Sequence, residues 1–534
     1  MSQRDEFLEK TPAANEDLLR STVGDFGRWQ FKISFLMAML KFPIAWFHLS
    51  IVFLAPPTQF WCAPPKNSHI DTKKWLNDTT PKSPINHEGL NVGYCEMVNG
   101  NETLPCVYGY EYNRTIFHSS IITEWDLVCG HQRLIDISQV TLMLGVIIGN
   151  VVFGILADRK GRKNVLTVCI LLQSIFGFVC AWIPWYWGYI LARLFVGVFN
   201  GGTIVTSFVM CMEVVGGKWR TIVPILYQIP FGFGNSIMSG IAYLLRDWRQ
   251  LQMAISTLSA FYIVYYFLIS ESPRWLIAVG RREEAIAILQ NASKSNKRDP
   301  EVVTRAMADI TNANTPTPQN PKSTFSALFC TPVLRKRSYL LCLNWTIAGI
   351  TFYAFSQYLG HVTQNLYMTV ALGGLIALPG TFLCIYILSV CGRRITIAGG
   401  FTCTGLCFLA ILGVPKGMFI HDWPRMACAG LGIMGLSISM SAMYLFTGEL
   451  FPTVNRNAGV GATVMFSRIG SMIAPLVIAL EGSSQYLPLI FLGCASLLEA
   501  IIILQLPETK GQPLPETIED VQKRNKSAKL RDVM

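Results

Sequence analysis

Twelve long apolar segments dominate this chain and restrict the folds open to it. Each has roughly the 20 residues that an α-helix needs to cross a bilayer. We place the spans at 31–56, 137–157, 164–183, 187–212, 221–245, 249–270, 338–360, 367–390, 395–413, 424–447, 457–481 and 485–506. The first is the least regular, because Lys32, Lys41 and Pro43 interrupt it. The sequence therefore predicts an all-α membrane protein with 12 transmembrane helices.

The composition favours the same class. Of the 534 residues, 51% are hydrophobic and 14% are charged, which is too apolar for an ordinary soluble protein. The net charge of +11 does not indicate nucleic-acid binding, because Lys and Arg cluster in particular short loops. Such clusters instead report how a membrane protein is oriented.

Three basic clusters, in residues 158–163, 335–337 and 393–394, lie on one side of the predicted membrane. Loops of this kind stay on the cytoplasmic side. We therefore expect a cytoplasmic N-terminus (1–30), a cytoplasmic connection (271–337) and a cytoplasmic tail (507–534). Residues 1–30 lack the apolar core of a cleavable signal peptide.

The loop between the first two spans, residues 57–136, has the character of a secreted module. It contains four cysteines, Cys62, Cys95, Cys106 and Cys129, and three sequons, at Asn77, Asn101 and Asn113. Four cysteines permit two disulfides in three connectivities. A single sequon arises readily by chance, but three in one loop with a cysteine set indicate an oxidised, glycosylated segment on the outer side.

Charged residues repeat in order along the chain. Glu213 and Arg220 follow the fourth span, and Glu449 and Arg456 follow the tenth span with the same separation, 236 positions later. This repeat indicates duplication of a six-helix bundle, the first in residues 31–270 and the second in residues 338–506. Carriers built from such repeats bind substrate near the membrane midplane and rock one repeat against the other.

The repeated charges stand at predicted cytoplasmic helix ends and have two interpretations. They either latch the outward-facing state through ion pairs that break in the inward-facing state, or anchor helix ends and set topology. Recurring pairs of acids and bases favour the latch, because topology needs only the bases. The predicted latch residues are Asp158, Arg159, Arg162, Glu213, Arg220, Glu271 and Arg274 in the first bundle, and Arg393, Arg394, Glu449 and Arg456 in the second.

Arg468 lies near the middle of the eleventh span. A guanidinium facing lipid at that depth costs roughly 2.5 to 3.5 kcal/mol on insertion scales, so we expect Arg468 to face a cavity. There it would attract a carboxylate, which a guanidinium can bind through two parallel hydrogen bonds.

Five motifs carry a resemblance to known transporters. Residues 154–163 resemble the signature loop of the major facilitator superfamily. Residues 123–129, 271–276, 449–457 and 507–517 are similar to the organic cation, organic anion and carnitine transporter family, with insect organic cation transporters the nearest likeness. The resemblance implies the major facilitator fold, with two six-helix bundles. It also implies polyspecific transport of small organic ions across a plasma membrane.

The resemblance also bears on substrate charge. Vertebrate cation transporters of the family carry aspartate at the position of Arg468, whereas the anion and carnitine branches carry arginine. Residues 377–380 of the eighth span lack both the glutamate of cation and carnitine members and the lysine of anion members. Further predicted substrate-binding residues are Trp345, Phe352, Tyr353, Tyr227, Gln228, Phe231 and Tyr444. Such rings bind an ammonium or stack on planar solutes, or they simply pack helices.

Three substrate classes follow from these residues. A carnitine-like zwitterion would use Arg468 and the rings, an organic anion only Arg468, and a cation would have to tolerate it. We predict alternating access by facilitated diffusion or exchange, because no carboxylate sits at midplane for a proton relay. The coupling ion stays open, since sodium ligands can be backbone carbonyls. A receptor that binds solute without flux is the alternative.

Catalytic motifs do not stand out in this sequence. We find no phosphate-binding glycine loop, no metal-spaced His and Cys cluster and no nucleophile motif. We therefore expect neither an enzyme nor a bound metal or cofactor. Lys41, in the first span, has two interpretations: a substrate contact, or a side chain that snorkels to the cytoplasmic surface.

Overall fold

Helices form throughout the apolar spans because backbone N–H and C=O groups in a bilayer must pair within the chain. The computed structural model describes residues 21–65, 75, 85–87, 90–93, 95–99, 102–217, 219–312, 331–362, 366–414, 423–451, 456–480, 484 and 486–510. All structural statements below concern these residues.

The helices divide into two halves joined by a helical connection. In the first half they are α1 (Arg28–Met39), α2 (Lys41–Leu49), α3 (Ile51–Leu54), α4 (Ile121–Trp125), α5 (Arg133–Lys160), α6 (Arg162–Trp182), α7 (Tyr186–Val214), α8 (Trp219–Leu226), α9 (Ile229–Leu245), α10 (Trp248–Ala260) and α11 (Tyr265–Leu268). The connection holds α12 (Pro273–Val279), α13 (Arg282–Ser295) and α14 (Glu301–Asn312). The second half comprises α15 (Pro332–Val362), α16 (Leu366–Cys391), α17 (Arg393–Leu412), α18 (Trp423–Leu450), α19 (Arg456–Ala479) and α20 (Leu487–Leu504).

Eleven helical segments among the described residues are long and apolar enough to cross a membrane. The difference from the predicted twelve lies in the fifth span, which the chain forms as two helices, α8 and α9, broken at Tyr227 and Gln228. Pro224 within α8 and Pro230 at the start of α9 explain the break, because proline lacks a backbone N–H donor. α9 alone has 17 residues.

The loop after the first span contains short strands: β1 (Phe60–Cys62), β2 (Ile85–His87), β3 (Leu90–Gly93), β4 (Glu96–Asn99), β5 (Glu102–Pro105) and β6 (Tyr110–Tyr112). Four strands form one sheet in the order β2-β3-β1-β6, and β4 pairs with β5. β1 runs antiparallel to β6, with Trp61 opposite Glu111. We call this end of the molecule the disulfide end, and the opposite end, which carries α12 to α14, the linker end.

Two helix pairs pack closely through small residues. Within the second half, a Cβ added at Gly470 of α19 would overlap the carbonyl oxygen of Thr346 on α15. Within the first half, a Cβ at Gly197 of α7 would overlap the carbonyl oxygen of Leu142 on α5. Gly197 and Gly201, which follow Arg193 on α7 at intervals of four residues, therefore pack α7 against α5, as small residues commonly do in membranes.

Arg193 itself is buried and satisfied within the first half. Its guanidinium donates to the carbonyl oxygen of Ser138 at 3.3 Å, to Tyr189 Oη at 3.1 Å and to Gln139 Oε1 at 3.2 Å. Arg193 therefore has a structural role within the first half.

Candidate functional site

A cavity with a volume of about 190 Å3 lies between the two halves. The first half contributes α2, residues of α9 and the break before it, and the second half contributes α15, α16, α18 and α19. Six of the eight predicted substrate-binding residues line it: Arg468, Phe352, Tyr353, Gln228, Phe231 and Tyr444. The site is therefore shared between the halves, as the internal repeat predicts.

Arg468 projects from α19 into this cavity. Its Nη1 donates to Tyr353 Oη at 2.5 Å, and its buried Nε has no hydrogen-bond partner among the described residues. The Tyr353 ring is held in turn by Phe352, at a centroid distance of 5.2 Å. A guanidinium whose buried Nε–H has no partner is ready to bind an acceptor, because a buried donor without a partner is costly.

Lys41 also lies on the cavity wall. Only 7% of the residue is exposed, so it does not snorkel to the surface. Its Nζ lies 4.5 Å from the centre of the Tyr227 ring, within the range of a cation–π contact. Lys41 and Arg468 come from opposite halves and line the same cavity. The cavity therefore has a basic residue on each side.

Two predicted contacts, Trp345 and Tyr227, do not line the cavity. Trp345 is fully buried; its Nε1 donates to Thr447 Oγ1 at 3.1 Å, and its ring packs edge-on against Tyr444 at 4.7 Å. The hydroxyl of Tyr227 hydrogen-bonds with Ser207 Oγ at 2.8 Å. Both side chains contact residues of the wall, Tyr444 and Lys41, and do not face the cavity themselves.

Asn235 and His48 are among the polar residues of the wall that the sequence did not single out. Asn235 lines the cavity, and its Oδ1 has no partner among the described residues. It lies two helical turns after Gln228, and this spacing along one helical face was the signal that could have identified it.

His48 also lines the cavity. Its Nδ1 lies 2.9 Å from the carbonyl oxygen of Ile44, so Nδ1 carries the proton in that hydrogen bond. Its Nε2 is then an acceptor, and this atom has no partner among the described residues. His48 and Lys41 are seven residues apart on α2 and share one face.

The cavity wall contains Lys41 and Arg468 but, among the described residues, no aspartate or glutamate. No cluster of three or more potential metal ligands of the His, Cys, Asp or Glu type occurs in the described part of the chain. Groups with hydrogen-bonding capacity are otherwise neutral, such as Gln228, Ser437 and Ser441. The site can therefore hold an anionic group, but it offers no described carboxylate to balance a cation.

Comparison with known proteins establishes the family. Residues 108–520, more than half of the chain, match the family described as sugar (and other) transporter. The chain belongs to this family. The organic cation transporter protein of Drosophila melanogaster is 33% identical over 512 residues, covering 93% of each chain. Organic anion transporter 3 of Oryctolagus cuniculus is 32% identical over 515 residues, covering 94% of this chain and 92% of that protein.

A third relative is solute carrier family 22 member 12 of Rattus norvegicus, which is 34% identical over 81% of this chain and 78% of its own. The predicted membership in the organic cation, organic anion and carnitine transporter family is confirmed by these relatives. The protein is a multi-pass membrane transporter and not an enzyme.

Solved structures show the same fold. The inward open xylose transporter XylE from E. coli has a TM-score of 0.63 with 15% sequence identity, covering 92% of this chain and 99% of XylE. The predicted all-α major facilitator fold is confirmed. At this identity, the likeness extends to the fold alone.

The two halves of the transporter touch at the disulfide end of the cavity. Ser239 Oγ on α9 donates to the carbonyl oxygen of Tyr367 on α16 at 2.5 Å, and Ser236 Oγ donates to the carbonyl oxygen of Ala371 at 2.8 Å. The Tyr367 ring also stacks on Phe53 of the first half, at 5.7 Å. These contacts cross between the halves at the disulfide end of the cavity.

At the linker end, predicted latch residues of the first half pair with one another. Arg162 Nη2 lies 2.9 Å from Asp158 Oδ1 and 2.9 Å from Glu213 Oε1. Glu271 Oε1 accepts the backbone N–H groups of Arg162 at 3.0 Å and Lys163 at 3.2 Å. These ion pairs and hydrogen bonds hold α5, α6, α7 and the start of the connection together.

The second half repeats this arrangement. Arg393 Nη2 lies 3.0 Å from Glu449 Oε1. Glu508 accepts the backbone N–H groups of Arg393 and Arg394, both at 2.9 Å. The described ion pairs of the predicted latch therefore lie within each half, and none of them spans both.

The remaining predicted latch residues are not brought into these pairs. Arg159 is exposed at the end of α5, and Arg274 lies on α12. The side chains of Arg220 and Arg456 lie outside the described part of the structure. That the predicted latch residues form ion pairs between the halves in the outward-facing state stays a prediction.

The four cysteines of the outer loop form two disulfides. Cys62 pairs with Cys106, and Cys95 pairs with Cys129. This selects one of the three connectivities that the sequence left open. Of the predicted glycosylation sites, Asn77 and Asn101 lie outside the described residues, and Asn113 follows β6. Glycosylation stays a prediction.

Proposed function

We propose that this transporter carries small organic ions that bear a carboxylate, with Arg468 as the counter-charge. The observation that supports this most directly is Arg468 on the cavity wall with an unpartnered Nε and no described acid beside it. A carboxylate would accept from Nε and one Nη, the geometry in which guanidinium groups bind carboxylates best.

The charges of the cavity wall disfavour a simple organic cation as the preferred substrate. A cation would enter a cavity that already holds Lys41 and Arg468 and would find no described carboxylate there. The rings of Phe231, Phe352 and Tyr444 line the cavity and suit the apolar body of an organic ion. The cation transporter names of the insect relatives therefore do not decide the substrate of this chain.

Alternating access is supported by where the halves touch. The contacts of Ser236 and Ser239 with α16 cross between the halves at the disulfide end. The described ion pairs of the latch residues hold each half together internally. Two stiff halves sharing one central site are what a rocking mechanism requires.

We place the carrier in the plasma membrane with both termini in the cytoplasm. The disulfide end would then face the outside, where disulfides form and persist. The basic residues 158–163 and 393–394 lie at the opposite end, as the positive-inside rule requires.

Uptake of three labelled probes tests the proposal: a carboxylate anion, a zwitterionic betaine and a quaternary ammonium cation. Cells would express the wild type, Arg468→Ala, Arg468→Lys or the control Arg305→Ala, whose arginine pairs with Glu301 on the exposed surface of α14. We expect Arg468→Ala to lose roughly 10- to 100-fold in uptake efficiency for carboxylate-bearing probes, the effect of removing one charged partner. Arg468→Lys should recover part of this, and Arg305→Ala should behave as wild type.

Two outcomes contradict the proposal. If wild type moves the quaternary cation best and Arg468→Ala moves it as well or better, Arg468 does not select a carboxylate. If the purified protein binds the anion but cells show no flux in either direction, the chain is a solute receptor with a transporter fold.

A further inference from the structure

One carboxyl group of the second half is buried away from the cavity and has no role in the proposed substrate site. Glu499 on α20 is fully buried, and neither of its carboxyl oxygens has a hydrogen-bond partner among the described residues. Its backbone carbonyl oxygen accepts a hydrogen bond from Nδ2 of Asn344 on α15 at 3.2 Å. Glu499 therefore lies between α15 and α20, inside the second half.

Three further polar side chains lie around this carboxyl group. Thr351 follows Asn344 by two helical turns on the same face of α15, and its hydroxyl is within reach of the Glu499 carboxyl, although no hydrogen bond joins the two. Ser496 lies one helical turn before Glu499 on α20. Asn344, Thr351 and Ser496 are fully buried, and each has a side-chain oxygen without a partner among the described residues. We call these four residues the Glu499 cluster.

The two hydroxyl groups of the cluster differ from others in the same spans. On α15, Thr346 and Ser356 donate to backbone carbonyl oxygens one turn earlier, at 2.8 and 2.7 Å. Such a bond is a common way for a helix to satisfy a buried hydroxyl group. Thr351 and Ser496 make no such bond, so their hydroxyl groups remain available to Glu499.

No basic side chain among the described residues balances Glu499. The helix α20 packs mainly against α15, α17 and α19. The charged side chains described on these three helices are Arg335, Lys336, Arg337, Arg393, Arg394 and Arg468. The other titratable side chains described on them are Tyr339, Cys342, Tyr353, Tyr358, Cys403 and Cys407, and α20 itself adds Cys494. None of these groups acts on the carboxyl of Glu499, which is influenced by its burial and by the hydroxyl of Thr351.

A bound proton is the simplest way to neutralise this carboxyl group. A buried carboxylate without a counter-ion is costly and takes up a proton instead. A carboxylate only accepts hydrogen bonds, whereas a carboxylic acid also donates one. A protonated Glu499 can donate to Thr351 or Asn344 and accept from Ser496, so a single proton supplies the donor that the cluster lacks.

We propose that Glu499 is a proton-binding site of this transporter and that the proton it binds is linked to the movement of the two halves. Glu499 lies five residues before the last residue of α20, Leu504, and twelve residues after the first, Leu487. The linker end is therefore the nearer membrane surface, and the proton exchanges with that side. The inference rests on the proposed alternating access, but it does not depend on Arg468 or on the charge of the substrate.

The helix α15 links the cluster to the cavity. Phe352 and Tyr353 directly follow Thr351 and line the cavity, where they contact the first half. The rings of Phe352 and Phe231 lie 6.2 Å apart, and so do those of Tyr353 and His48. When the halves rock, these contacts change, and the position of Thr351 against α20 changes with them. Because linkage is reciprocal, a proton bound in the cluster then favours one arrangement of the halves.

The test measures exchange of a labelled probe by the purified protein in liposomes, at equal pH on both sides and over a range of pH values. The probe is whichever of the carboxylate, the betaine and the quaternary cation the wild type exchanges fastest. The variants are Glu499→Gln, which has the shape of a protonated glutamic acid but cannot ionise, and the control Glu284→Gln, at an exposed site. A second series replaces sodium with choline at constant pH.

We expect wild-type exchange to depend on pH by up to about tenfold per pH unit, the limit for a single proton. Glu499→Gln should lose this dependence and should exchange at the rate that wild type reaches at acidic pH, since neither then has a charge at this position. Glu284→Gln should retain the wild-type pH profile. Replacing sodium should leave all three rates unchanged.

The proposal is overturned if wild-type exchange does not vary with pH, or if Glu499→Gln keeps the wild-type pH profile. It is also overturned if exchange follows sodium instead of pH and Glu499→Gln abolishes that response, because the cluster would then bind a metal ion. A Glu499→Gln variant that does not fold is replaced by Glu499→Leu, whose side chain needs no hydrogen-bond partner. Failure of the proposed function gives a different result: the wild type would bind a probe in detergent but exchange none of the three.

Discussion

Replacing Glu508 with glutamine should destabilise the second half of the transporter. The carboxylate of Glu508 accepts the backbone N–H groups of Arg393 and Arg394, both at 2.9 Å, and those of Thr509 and Lys510, both at 3.0 Å. Arg393 is the first residue of α17, and Gly392 before it provides no side-chain cap. Glu508 therefore satisfies N–H groups that the first turn of this helix leaves unpaired.

The size of the destabilisation depends on which hydrogen bonds of Glu508 a glutamine can keep. One amide oxygen can take over the three hydrogen bonds to Oε1, but the amide NH2 cannot accept the N–H of Arg394. Losing one charge-assisted hydrogen bond costs roughly 1.5 to 3 kcal/mol, and losing the negative charge at a helix N-terminus costs a further 0.3 to 1 kcal/mol. Because Glu508 is only half-buried, we expect the low end, about 2 kcal/mol.

The effect should depend on pH in one direction. Burial opposes ionisation of Glu508, but the four backbone N–H groups outweigh it and hold the pKa of Glu508 below its usual value of 4.5. A group with a lowered folded-state pKa stabilises fully above its unfolded-state pKa and loses that contribution as pH falls through the folded-state pKa. The difference between wild type and Glu508→Gln should be constant near neutral pH and shrink only below about pH 4.5.

The assay is the apparent melting temperature of the purified protein in detergent. For a unit of this size, about 2 kcal/mol corresponds to a decrease of about 4 to 8 °C. The matched control is Glu284→Gln, because Glu284 pairs with Arg281 at an exposed site and should contribute no more than about 1 kcal/mol. If Glu508→Gln has the same apparent melting temperature as wild type at neutral pH, Glu508 does not stabilise the start of α17 in the way the structure indicates.

Other predictions concern packing, disulfides and closure. Gly470→Ala should sharply reduce the amount of folded carrier at the cell surface, because the added Cβ would overlap a backbone carbonyl oxygen. The control Gly461→Ala should not, because the space around a Cβ at that position is open. Cys62→Ser and Cys106→Ser should lower surface expression equally, and the double variant should be no worse than either one, since both break the same disulfide. Ser239→Ala removes a hydrogen bond between the halves and should raise labelling, from outside, of a cysteine introduced into the cavity; unchanged labelling would contradict a closing role for this contact.

Much of the fold was accessible from the sequence because a membrane leaves few alternatives. Long apolar spans must be helices, and the repeated acid and base pairs revealed the two halves. The prediction of one continuous helix for the fifth span was wrong, because hydropathy does not show the break that Pro224 and Pro230 impose. The disulfide pairing was not accessible, because it depends on how β1 and β6 bring distant cysteines together.

The candidate site was only partly accessible. Arg468 was placed correctly in a cavity because a lipid-facing guanidinium is so unfavourable. Trp345 and Tyr227 lie one layer behind the cavity wall, because helical spacing alone does not fix the rotation of a helix about its axis. Lys41 was the harder case: its long side chain can reach either the surface or the cavity, and only the packing of α2 decides between them.

The basic residues of the cavity wall have an electrical consequence. Lys41 and Arg468 stay with the protein and do not cross the membrane with the substrate. The net charge transported in each step is therefore the charge of the substrate itself. Each elementary charge crossing the membrane changes the free energy by roughly 2.3 kcal/mol per 100 mV. In a cell with a negative interior, the membrane potential alone would drive a monovalent organic anion outward with this free energy. The carrier could accumulate such an anion inside the cell only if its transport were coupled to that of another ion.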